Sequence, residues 1–117
     1  MKIKKITKKP WGQEEIIQTN KFYTIKKITM NSYSRCSLQY HNKKVETIYV
    51  LNGPLFIRHG KSLNKLKVEK LNSGQNLTLK NKMIHRMFAK SKKSLYMEVS
   101  TSQLNDVVRI SDDYNRV

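Results

Sequence analysis

The sequence predicts an all-β domain, a sandwich or a closed barrel. Three observations predict it. Apolar and polar residues alternate with a period of two along most of the chain, and the alternating runs are rich in β-branched and aromatic residues. Turn-forming residues also interrupt the runs at short intervals, and helical periodicity is almost absent.

Taken in order, residues 22–30 read as a strand (FYTIKKITM), followed by 47–51 (TIYVL) and 55–59 (LFIRH). The pattern continues through 66–71, 77–79, 85–89 and 95–99. The breaks carry turn chemistry at Pro10-Trp11-Gly12, Asn52-Gly53-Pro54, His59-Gly60-Lys61 and Asn72-Ser73-Gly74. Asn52-Gly53 reads as a tight turn. Eight to ten short strands are expected, closing on themselves so that few edges are left to aggregate. At 117 residues the chain suits one domain, residues 1–117, with no linker, repeat or low-complexity tract.

The formal charge of +16 comes from 24 Lys and Arg against 8 Asp and Glu. The lysines are scattered pairs such as Lys26-Lys27, Lys43-Lys44 and Lys92-Lys93, not one run or one helical face, so the charge reads as a solvated surface. A nucleic-acid partner is not expected, and an anionic small substrate fits better. Cys36 is the only cysteine, which excludes an intramolecular disulfide, and it reads as a small buried side chain. No stretch has the length of a signal peptide's apolar region or of a membrane span, so a cytoplasmic protein without membrane association is expected.

Four positions carry metal-ligand chemistry. Gln39 and His41 are two apart, so on a strand they share a face. Glu46 joins them if residues 42–45 turn the chain and a hairpin partner brings it back. His85 opens a later strand. Imidazole, carboxylate and carboxamide oxygen suit one divalent ion among Zn, Mn, Fe, Co and Ni, and no thiolate is offered.

The spacing resembles that of the cupin superfamily. Gln39-Tyr40-His41, four residues, Glu46, six residues and Gly53 follow its first motif, with Gln in place of the first His and Tyr33 at the leading Gly. Gly74 and His85 fall on the second motif, while Lys80, Lys82 and Ala89 occupy its Pro, Gly and Asn positions. Lys9-Pro10-Trp11-Gly12, Ser37-Leu38-Gln39-Tyr40-His41, Tyr49-Val50-Leu51-Asn52-Gly53, His85-Arg86 and the tail Arg109-Ile110-Ser111-Asp112-Asp113-Tyr114-Asn115-Arg116 are similar to the cupin domain of type II mannose-6-phosphate isomerases. In many bacteria that domain is fused behind a sugar nucleotidylyltransferase, and here it is expected to stand alone. Lys44 and Asn115 stand where that family has Arg and Gly.

The resemblance implies a double-stranded β-helix, or jelly-roll barrel, with Gln39, His41, Glu46 and His85 as metal ligands and Arg109 as the active-site cation. Lys44 or Arg86 would help Arg109 hold a phosphate or developing charge. The expected function is a metal-dependent aldose-ketose isomerase of a sugar phosphate. The alternatives are a non-catalytic cupin that binds a sugar or nucleotide sugar, accessory to a nucleotidylyltransferase, or a metal-dependent cupin enzyme of another reaction class. A homodimer is expected, with the segment before Pro10 available for strand exchange. His59 lacks ligand-type companions and reads as a strand-end surface residue, and Trp11 as packing at a barrel end. At most one of Asp112 and Asp113 can face a cavity, because neighbours on an extended chain point opposite ways.

Overall fold

The computed structural model describes residues 5–103 and 105–116. Eleven strands follow in order: β1 (Lys5–Lys9), β2 (Gly12–Thr19), β3 (Thr24–Met30), β4 (Leu38–Tyr40), β5 (Glu46–Asn52), β6 (Leu55–Gly60), β7 (Lys67–Leu71), β8 (Asn76–Leu79), β9 (Ile84–Phe88), β10 (Ser94–Ser100) and β11 (Val108–Ser111). One turn of 3-10 helix, Leu63–Lys65, precedes β7. Among the described residues no helix is long and apolar enough to cross a membrane.

The strands form two antiparallel sheets. The first has six strands in the order β1-β2-β3-β10-β5-β8, and the second has five in the order β11-β4-β9-β6-β7. Non-consecutive neighbours such as β3 and β10 mean that the chain winds back and forth between sheets, and two of the four turn signals, Asn52-Gly53-Pro54 and Asn72-Ser73-Gly74, are hand-overs. The Asn52-Gly53-Pro54 turn is one of these: β5 lies in the first sheet and β6 in the second, with a cis bond between Gly53 and Pro54.

Register divides the interior into two ends. Along β3 every second residue is buried, from Thr24 and Lys26 to Ile28 and Met30. Their partners on β10 are Ser100, Glu98, Tyr96 and Ser94. On the far side of β10, Ser100 faces Glu46 and Glu98 faces Ile48. One end of the inner face is thus polar (Thr24, Lys26, Glu46, Glu98, Ser100) and the other apolar. Ile28, Met30, Ile48, Val50, Leu55, Ile57, Leu71, Leu79 and Met87 pack into a single core with Tyr96, and each of the aliphatic ones stabilises the fold by roughly 1.5–3 kcal/mol through burial.

Two strands lie where alternation gives no reading. β1 and β2 form a hairpin of largely polar residues, closed by the Pro10-Trp11-Gly12 turn. Gly12 is required there, since a Cβ would collide with the carbonyl oxygen of Thr29. Trp11 packs into the core beneath the turn, as expected. Phe22 and Tyr23 fall outside β3 and are exposed. His59 is a correction: it is buried and bonded to Glu69 at 2.9 Å. It stands opposite His85 in register, so it shares that residue's inward face.

The candidate metal centre

The site is assembled from both sheets. β4 pairs with β9 through Gln39 opposite His85, and with β11 through Gln39 opposite Arg109. Directly opposed residues on antiparallel strands share a face, so Arg109, Gln39 and His85 form one inward row. His41 follows Gln39 by two residues on the same face. Glu46 enters from the opposite sheet, because residues 41–45 cross between sheets instead of turning a hairpin. The hairpin expected for Glu46 is thereby corrected, while its place beside His41 is kept.

His41, Glu46 and His85 are all buried, and each offers one ligand atom within 4.8 Å of the others. His41 Nε2 lies 3.2 Å from Glu46 Oε2, and His85 Nε2 lies 3.8 Å from Glu46 Oε1. Both imidazoles are oriented from behind. His41 Nδ1 donates to the backbone carbonyl of Asp106, and His85 Nδ1 donates to that of Met83 at 2.9 Å. A proton on each Nδ1 leaves the Nε2 lone pairs aimed at Glu46, which is the tautomer a metal requires.

The four atoms at the centre, His41 Nε2, His85 Nε2 and both Glu46 oxygens, are buried without hydrogen-bond partners. Each orphaned polar atom costs about 1–3 kcal/mol, and the Lys44 ammonium at 3.5 Å offsets this only at Glu46 Oε2, so the cluster favours an occupant. A divalent cation satisfies all of them. Burial holds the His85 imidazole below its usual range, which favours the neutral ligand form. Burial pushes the Glu46 carboxyl up, but its neighbours outweigh this and hold it below the usual carboxylate range, the Lys44 ammonium at 3.5 Å among them. Gln39 lines the same cavity, with its carboxamide oxygen accepting from the Ser37 hydroxyl.

A cavity of about 380 Å³ opens above these residues. Lys5, Lys9, Lys26, Lys44, Arg109 and Arg116 supply its cations, and Glu14, Glu46 and Glu98 its carboxylates. Several of these are committed to one another. Lys26 pairs with Glu14 at 3.2 Å, and Lys44 sits between Glu46 at 3.5 Å and Glu98 at 3.6 Å. Burial works against the Lys44 ammonium, and Glu98 and Glu46 outweigh it, holding the amine above its usual range. Arg116 is clasped by Asp112 at 2.8 and 2.9 Å. Lys5, Lys9 and Arg109 have no acidic partner among the described residues, and Arg109 Nε is buried with none at all.

Arg86 does not join this group. It is not among the described residues lining the cavity, and its guanidinium donates to the carbonyls of Cys36 and Ser111, tying β9 to the neighbouring segments. Asp113 binds Arg35 at 2.6 and 2.8 Å, so both tail carboxylates serve as clasps. Cys36 is buried, and burial pushes its thiol up to about 11, which rules it out as a nucleophile at neutral pH.

Two contributors lie beyond the sequence motifs. The Asp106 carboxylate accepts the backbone N–H groups of Asn42, Lys43 and Lys44 at 3.0, 2.7 and 3.0 Å, fixing the crossing between His41 and Glu46. Glu98 is the other, buried in the cavity wall. The motif departures prove mild at the backbone. Tyr33, Lys82 and Asn115 have φ of 54°, 65° and 59°, so the left-handed conformation persists at the three positions where the resembled family places glycine. Lys82 uses it to donate its N–H to the His41 carbonyl at 2.6 Å.

Two antiparallel sheets wrapped around an inward His41, Glu46 and His85 cluster that could hold a metal ion give this protein the architecture of a cupin. Similar folds include KdgF from Halomonas sp. (TM-score 0.73, 13% identity, covering 85% of this chain and 86% of that one). The capsular polysaccharide assembling protein CapF from Staphylococcus aureus matches with TM-score 0.80 and 12% identity over 93% of this chain and 32% of its own. Oxalate decarboxylase from Bacillus subtilis matches with TM-score 0.81 and 11% identity over 94% and 32%. The chain thus spans about a third of the latter two. No curated protein matches the chain by sequence. The chain belongs to the family described as mannose-6-phosphate isomerase C-terminal, whose model matches residues 1–112.

Proposed function

We propose that this chain is a metal-dependent aldose-ketose isomerase acting on a phosphorylated hexose of the mannose 6-phosphate type. One observation carries the reading: ligand atoms of His41, Glu46 and His85 converge within 4.8 Å of one another beside a cavity that also holds Arg109 Nε, buried without a hydrogen-bond partner. A cation site beside an unmatched guanidinium suits a substrate with oxygen donors at one end and an anionic group at the other. Membership of the mannose-6-phosphate isomerase C-terminal family supports the same substrate class.

In this reading His41, Glu46 and His85 hold the ion, with Gln39 as a fourth donor once its carboxamide is released from Ser37. The ion, when bound, supplies Lewis-acid polarisation of sugar oxygens. Arg109, with Lys9 near the mouth, orients the phosphate, and the Lys44 ammonium faces the charge that develops on the sugar oxygens. Trp11, Ile28 and Met87 give the cavity an apolar wall against which the sugar carbons pack. A homodimer is part of the proposal, since β1 is an edge of its sheet.

The test is conversion of mannose 6-phosphate to fructose 6-phosphate by metal-loaded protein, followed by NMR, in the wild type and in His41→Ala. Turnover in the wild type that disappears in the variant supports the assignment. Equal turnover in both sinks it.

A further inference from the structure

An isomerase needs a group that moves a proton between neighbouring carbons, and Glu46 is committed to the ion. The cavity holds another buried carboxylate. Glu98 projects inward from β10, opposite Lys26 on β3 and Ile48 on β5. It is 6% exposed, yet it lines the cavity. Lys44 stands between it and Glu46, so Glu98 is held one ammonium away from the centre without being a ligand.

Other groups fail on position or chemistry. Glu14 is paired with Lys26 and, unlike Glu98, is not ion-paired to the Lys44 that contacts Glu46, and neither Asp112 nor Asp113 is among the described residues lining the cavity. Tyr96 lines it, but burial holds its phenol well above the usual range, so at neutral pH it has no base form to offer. His41 and His85 have their Nδ1 atoms bonded to carbonyls and their Nε2 atoms turned to Glu46.

We propose that Glu98 is the general base of the site, taking the proton from C2 of the aldose and delivering it to C1 of the ketose; this rests on the isomerase reading above. In the first half the C2–H electron pair becomes the C1–C2 double bond, the carbonyl pair moves onto O1, and the proton goes to Glu98. The O2 proton then passes to O1. In the second half the O2 lone pair re-forms a carbonyl at C2, and the C1–C2 pair takes the proton back from Glu98 at C1. No oxidant or reductant is needed.

The environment matches the task. Burial pushes the Glu98 carboxyl up, which favours proton uptake, while the Lys44 ammonium at 3.6 Å and Lys26 oppose it and favour proton return.

The experiment compares wild type, Glu98→Gln and Glu98→Asp for metal content, mannose 6-phosphate affinity, kcat, and deuterium incorporation at the reacting carbon in D2O. Expected in Glu98→Gln are unchanged metal and substrate binding, a kcat lower by roughly 10²- to 10⁴-fold, and loss of deuterium exchange. Glu98→Asp restores part of both. Full kcat in Glu98→Gln, or a folded variant that has lost its metal, overturns the assignment. Wild-type protein that holds metal but converts nothing overturns the isomerase reading instead, and the base assignment falls with it.

Discussion

Gln39 and Arg109 stand directly opposite each other where β4 pairs with β11. That pairing brings a cation from the C-terminal tail beside the ligand strand, and Arg109 Nε is buried there unpartnered. Arg109→Ala should therefore lower kcat/KM for a phosphorylated hexose by roughly 10- to 100-fold, the loss of a hydrogen bond to a charged group. The unphosphorylated sugar should be little affected. Equal losses for both would exclude a phosphate contact.

Asp106 supports the metal site without being a ligand, its backbone carbonyl accepting from His41 Nδ1. Its carboxylate fixes three N–H groups of the crossing that links His41 to Glu46. Asp106→Ala should weaken metal affinity by roughly 10- to 100-fold, the usual effect of losing an outer-shell partner. Competition against a chelator of known affinity measures this.

Tyr33 and Lys82 hold a left-handed backbone with side chains unsuited to it. Tyr33→Gly and Lys82→Gly should each stabilise the protein by about 1 kcal/mol, and Asn115→Gly by less, because Asn tolerates this region. Thermal denaturation of the three variants gives the ranking.

The tail clasp has a defined pH window. The Arg116 side chain, hydrogen-bonded to Asp112, holds that carboxyl down at about 2. A carboxyl lowered on folding adds stability above the ordinary carboxylate range near 4, and that contribution is lost as pH falls from there toward 2. Asp112→Asn should thus melt below the wild type at pH 6, with the gap narrowing steadily as pH falls from about 4 toward 2. A gap that does not change with pH would show that the clasp acts through packing alone.

Much of this was legible in the residues. Parity places Gln39 and His41 on one face, and motif spacing adds Glu46 and His85. The alternation of Leu95, Met97 and Val99 against Tyr96 and Glu98 misleads, however. Hydrophobicity would bury the first set, yet Val99 is 43% exposed and Glu98 lies inside. The inner face here must line a polar cavity, and no local pattern announces that. His59 misleads for the converse reason, because its burial follows from register with His85 across two strands. Asp106 acts across a sequence separation of more than sixty residues, and Arg86, read as a substrate cation, is occupied by carbonyls that only the fold brings near.

The central claim is that His41, Glu46 and His85 form a metal centre. Calorimetric titration of chelator-stripped protein with Mn, Co and Zn salts tests it most directly, in the wild type and in His85→Ala. The account predicts a single saturable site per chain, with affinity reduced by more than about 100-fold when an imidazole ligand is removed. Absence of a saturable site, or the same affinity in His85→Ala, would contradict it.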